Sequence, residues 1–82
     1  MDGLTEGRIV HFVIRENEHR AAMIVRVWNK TSGVVNLNVF TDWYNDVKNG
    51  DGSKLQSGDM WIPSCEYSEN CEVNTWHWIE KA

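Results

Sequence analysis

The sequence predicts an all-β fold, or at least a mainly β one: a small SH3-like five-stranded barrel with one long polar loop. Three observations predict it. Apolar residues recur with period two in separate short runs, the pattern of strands with one face covered. Clusters rich in Asn, Gly, Ser and Lys punctuate those runs at hairpin spacing. Gly50, Gly52 and Gly58 interrupt the stretch where Trp43, Tyr44 and Val47 have the spacing of a helical turn. A chain of 82 residues is a single small β domain over 1–82, with room for one core. Closing its sheet removes edges that so small a protein covers with difficulty.

Gly7 to Arg15 alternates Ile9, His11 and Val13 with Val10, Phe12 and Ile14. Both faces carry apolar side chains, which marks a central strand. Glu16 to Arg20 reads as a polar turn. Ala21 to Trp28 resumes the alternation, with Met23, Val25 and Val27 on one face and Ile24, Arg26 and Trp28 on the other. Asn29 to Gly33 closes a hairpin, Gly33 being suited to a left-handed position. Val34 to Phe40 turns Val35, Leu37 and Val39 inward and Asn36, Asn38 and Phe40 outward. Thr41 to Gly58 is the polar loop, with Asn49 to Gly52 as its exposed tip. Met60 to Ile62 is a short strand stopped by Pro63, and Thr75 to Ile79 is the last strand. The competing architecture is an open antiparallel sheet carrying a helix drawn from residues 41–49.

Charge narrows the partners. Eight basic residues stand against 12 acidic, a net charge of -4, which opposes attraction to a phosphate backbone and argues against duplex nucleic acid. No apolar run approaches the roughly 20 residues of a membrane span, and the start has no basic segment followed by an apolar one. The expected location is the cytoplasm of the cell that makes it. Cys65, Cys71 and His77 are evenly spaced, but too widely for a zinc knuckle or ribbon, and a fourth ligand would have to be His11, His19 or a carboxylate. No metal, no cofactor and free thiols are expected. There is no Gly-rich phosphate loop, nucleophile elbow or His-Glu-x-x-His helix, so no catalytic residue is assigned and the protein is expected not to be an enzyme.

The residues that point to a binding surface are aromatic, Arg and His. Five tryptophans and two tyrosines exceed what a core of this size needs. Trp43 and Tyr44, at the start of the polar loop, are candidates for exposed aromatics. Trp76 and Trp78 share a face and either pack the core or offer a stacking wall to a planar ligand such as a nucleobase. If they fill the core, His77 lies at the surface. His11 also sits among large apolar residues on a strand, whereas His19 falls in the expected turn. Arg20 and Arg26 carry the guanidinium fork that suits phosphate, with a salt bridge to a carboxylate as the alternative use of Arg26.

Gly7-Arg8-Ile9-Val10-His11-Phe12-Val13, Arg20 to Val25 and Thr75-Trp76-His77-Trp78 together resemble a family of small bacteriophage proteins, most of them without an assigned function. In those relatives Tyr commonly stands at the position of Phe12, and Gly and Pro at those of Asn74 and Ile79. The resemblance implies a phage accessory protein acting in the host cytoplasm, where proteins of this size often counter antiphage defence. The spare aromatics, the strand-borne Arg and His and the absent catalytic machinery favour sequestering a nucleotide signal of systems such as CBASS or Thoeris; direct inhibition of a host defence protein is the alternative, and degradation of a signal ranks last. For the first, the expected site is His11, Arg20, Arg26, Trp43, Tyr44, Trp76, His77 and Trp78. The expected partners are a nucleotide-derived signalling molecule or a host defence protein, with no membrane, and a second copy of the chain as a homo-oligomer.

Overall fold

A computed structural model describes residues 1–42, 47–48, 53–54 and 58–80. The strands are β1 (Ile9–Arg15), β2 (Glu18–Asn29), β3 (Val34–Phe40), β4 (Val47–Lys48), β5 (Ser53–Lys54), β6 (Asp59–Cys65) and β7 (Trp76–His77). Five of them form one antiparallel sheet in the order β6-β3-β2-β1-β7, and β4 pairs with β5 alone. The all-β expectation holds, and there is no helix among the described residues. Trp43, Tyr44 and the tip from Asn49 to Gly52 lie outside the described residues.

The sheet is bent but not closed. Its edge strands β6 and β7 do not pair as strands. They are linked through the segment after β6, where Tyr67 and Trp76 form one parallel bridge. Trp76 N donates to Glu66 O at 3.0 Å, and Ser68 N donates to Trp76 O at 3.0 Å. A barrel therefore overstates the closure.

One face of the sheet holds the core. Val10, Phe12, Ala22, Ile24, Val35, Leu37, Val39 and Trp76 are buried there with Leu4 and Cys65. The inward triad expected of β3 is fully buried, and each such side chain contributes roughly 1.5–3 kcal/mol by leaving water. Trp76 is the largest of them, and its Nε1 donates to Gly33 O at 2.7 Å, which satisfies the indole inside the core.

Three local features depart from simple alternation. The first turn is shorter than its composition indicates: Arg15 pairs with Glu18, Asn17 takes the left-handed φ of 63°, and Glu18, His19 and Arg20 already belong to β2. The ladder between β2 and β3 passes from Ile24↔Leu37 to Arg26↔Asn36, leaving Val25 as an extra residue. That bulge changes the facing of the rest of the strand, so Val27 pairs with Val35 and packs on the core instead of sharing the outer face of Met23. Pro63 does not end β6. The strand is at the sheet edge, where a missing N–H is tolerated, and a second irregularity there is held by Asn36 Oδ1, which accepts from Ser64 N at 2.8 Å and Trp28 Nε1 at 2.7 Å.

Candidate functional site

Strand register gathers three imidazoles on the outer face of the sheet. His11 of β1 pairs directly with His77 of β7. On the other side of β1, Val13 pairs with His19 and His11 with Ala21, so His19 shares the face of His11 and lies diagonal to it. The rings meet edge to face, with centroids 5.9 Å apart for His11 and His19, 5.7 Å for His11 and His77, and 4.5 Å for His19 and His77. Val13 is fully buried yet stands apart from the main core. By alternation it shares the face of His11, and it pairs with His19 across the ladder.

Glu80, three residues beyond His77, closes the cluster. Its Oε2 lies 2.6 Å from His11 Nδ1 and its Oε1 2.9 Å from His19 Nδ1, and Oε1 also bonds His77 Nε2. A carboxylate only accepts, so the bonded nitrogens of His11 and His77 carry their protons in this arrangement, while His19 Nδ1 stands at ion-pair distance. His77 is buried, and its Nδ1, on the far side of the ring, has no partner. Burial pushes the His77 imidazole below its ordinary range against the opposing pull of Glu80. Burial alone raises the Glu80 carboxyl, but hydrogen bonds from its own backbone and from His11 and His77 outweigh it and draw it down to about 2. One ligand atom from each of the four residues lies within 4.8 Å of all the others, and no other such group of His, Cys, Asp or Glu occurs among the described residues.

The remaining sequence candidates among the described residues do not converge there. Trp76 is fully buried and presents no ring face to a ligand, while Trp78, partly buried, meets it edge-on at 5.1 Å with Arg8 5.4 Å from the Trp78 ring centre. His77 nevertheless does not reach the surface, because the other two histidines and Glu80 cover it. Arg20 pairs with Phe12, which places it on the opposite face from His19, and it bonds Glu18 Oε2 at 3.2 Å and His19 O at 3.0 Å. Arg26 stacks over Trp28 at 3.8 Å, near the far end of β2 from His19. Cys65 and Cys71 are free thiols that bond backbone carbonyls and do not join His77 in a ligand group.

His19 and Glu80 are the members that the sequence pattern does not single out for binding. The signal for His19 is its position two residues after Asn17, on the parity of Ala21 and Met23. Compared with protein-family models, curated proteins and solved structures, the chain matches none.

Proposed function

We propose that the protein is an accessory protein of bacteriophage type that works by binding, and that it inhibits a host defence protein by docking the outer face of its sheet on it. The observation that carries this reading is a row across four strands that is apolar at three of its four positions and polar at Asn38. Ile9 pairs with Met23, Met23 with Asn38 and Asn38 with Trp61, so the four side chains share one face. Ile9, Met23 and Trp61 are 36%, 38% and 54% exposed, and Phe40, two residues after Asn38, is 42% exposed. Large exposed apolar side chains gathered on one sheet face are what a protein interface buries at its centre. The net charge of -4 adds steering toward a basic surface, such as the nucleic-acid or nucleotide channel of a defence enzyme.

Sequestration of a nucleotide signal is the second reading, favoured by the Arg26–Trp28 stack. Trp28 is 52% exposed, and an indole beside a guanidinium offers a base a stacking surface and a phosphate a fork. Plating of defence-sensitive phage on cells carrying a CBASS or Thoeris system, with the protein expressed in trans, tests both. The docking reading expects wild type to restore plating, Met23→Asp with Trp61→Asp to abolish it, and Arg26→Ala to leave it intact. The reverse pattern, together with calorimetric binding of a cyclic oligonucleotide or an ADP-ribose derivative, transfers the function to sequestration. No rescue by wild type in either system rejects both readings for those systems.

A further inference from the structure

We propose that His11, His19, His77 and Glu80 form a binding site for a divalent transition-metal ion of the zinc class. The donor set is three imidazole nitrogens and one carboxylate oxygen. Imidazole suits zinc, cobalt, nickel and copper, whereas magnesium and calcium require oxygen cages. Four protein ligands make a closed site of the structural kind.

The geometry brings the four donors close enough for side-chain adjustment alone to seat an ion. Around a tetrahedral ion with bonds of about 2.0–2.1 Å, ligand atoms stand roughly 3.3 Å apart. The four ligand atoms already lie within 4.8 Å of one another. The contacts from Glu80 to His11 and His19, at 2.6 and 2.9 Å, are shorter than the tetrahedral spacing. Entry of the ion therefore asks Glu80 to withdraw by about 1 Å, farthest from His77, whose contact with Oε1 is the shortest of the three. The Glu80 side chain is 45% exposed and lies beyond the end of β7, so it has room to do so. The widest pairs of ligand atoms, up to 4.8 Å apart, must close toward the tetrahedral spacing by side-chain rotation, while two ladders fix the strands that carry the histidines.

The proton arrangement sets the strength. In the ion-free pocket the His11 and His77 nitrogens donate to Glu80; in the bound form each offers its lone pair and the ring proton moves to the other nitrogen. For His77 that other nitrogen is Nδ1, which is buried without an acceptor. Metal-ligating histidines ordinarily donate that N–H, and losing such a partner typically weakens affinity by about 10–100-fold. The site is accordingly expected to hold zinc less tightly than a fully buttressed structural site.

The ion would join β1, β2, β7 and the segment after β7, which gives the proposal a readout besides binding. Metal binding to the folded chain alone raises its melting temperature, and at 100-fold excess over Kd the rise for a domain of this size is on the order of 10 °C. This proposal is independent of the docking reading, since the probe is the metal alone.

The test is titration of the purified, chelator-stripped chain with zinc and cobalt by calorimetry and visible absorption, with melting followed in parallel. The expected result is one ion per chain, a four-coordinate cobalt spectrum, a higher melting temperature with zinc, and no response to magnesium or calcium. His19→Ala, in a half-buried position at the start of β2, should keep the fold and weaken zinc binding at least tenfold. Glu80→Gln should weaken it less, because an amide oxygen is a poorer ligand. Absence of stoichiometric binding by the folded wild type, or zinc affinity unchanged in both variants, overturns the proposal. Retention of the cobalt spectrum in His19→Ala combined with Glu80→Gln overturns it too, by assigning the ion to other groups such as the thiols.

Discussion

At the residue scale, burial and partnership decide what each side chain can do, and two residues make that measurable. Burial, with Glu66 nearby, pushes the Cys65 thiol up to about 12, so it stays protonated at neutral pH. Cys71 is only partly buried. A thiol reagent at neutral pH should therefore label Cys71 rapidly and Cys65 only when denaturant is added; equal rates in the native protein would contradict the burial. Trp76→Phe keeps most of the apolar contact but leaves Gly33 O without its indole donor. A loss of about 1–3 kcal/mol in urea unfolding is expected. His11 and His77 were legible in the sequence as strand histidines among apolar residues, and so was the inward set Val35, Leu37 and Val39. His19 was not, because a run of Glu, Asn, Glu, His and Arg reads as a turn by composition, whereas a left-handed Asn17 lets two residues make the turn and returns His19 to the ladder. Trp76 was legible as an aromatic of the last strand, but no pattern of alternation tells a core indole from a stacking wall.

At the element scale, bulges and caps rather than strand propensity set the irregular parts. Pro63 reads as a stop because it cannot donate to a ladder, yet an edge strand asks for no donor on its outer side. Val25 is not recognisable as an inserted residue, since every position from Met23 to Trp28 except Arg26 is apolar and either parity looks plausible. Gly33 ends the β2–β3 hairpin at a φ of +83°, and an added Cβ would meet Met1 Cε and Tyr67 Cβ at 2.9 Å. Gly33→Ala should thus cost at least about 1–2 kcal/mol, from the left-handed backbone alone, with chemical denaturation as the check. Glu6 joins the N-terminal segment to β2 by accepting from Val27 N at 3.0 Å. Hydrogen bonds from its own backbone and from Val27 hold its carboxyl below the ordinary value of 4.5, and the Arg15 guanidinium does the same for Glu18. A carboxyl lowered on folding stabilises above its unfolded value, and that contribution disappears as pH falls through the lowered folded value. Melting temperature should decline below about pH 4.5, and Glu6→Gln should flatten the decline; a wild-type melting point unchanged down to about pH 2 would refute the linkage.

At the scale of the whole molecule, the two faces of the sheet have different fates. The inner face is filled, while the outer face keeps Ile9, Met23, Phe40 and Trp61 at least a third exposed beside the imidazole cluster. In the absence of another partner that row is expected to pair with a second copy at tens of micromolar concentration, and Trp61→Asp should return the chain to a 9.5 kDa monomer in sedimentation. A wild-type monomer under those conditions would rule out the homo-oligomer. No helix among the described residues is long and apolar enough to cross a membrane. The imidazole cluster also has a place in time. Hairpins β1–β2 and β2–β3 join neighbours in sequence and pair early, but His11 and Glu80 are 69 residues apart. Contacts of that separation carry the largest loop-closure entropy and form late. A folding chain thus passes through a stage with its meander made and its histidines still apart, and the pocket becomes a marker for the final docking of β7 against β1.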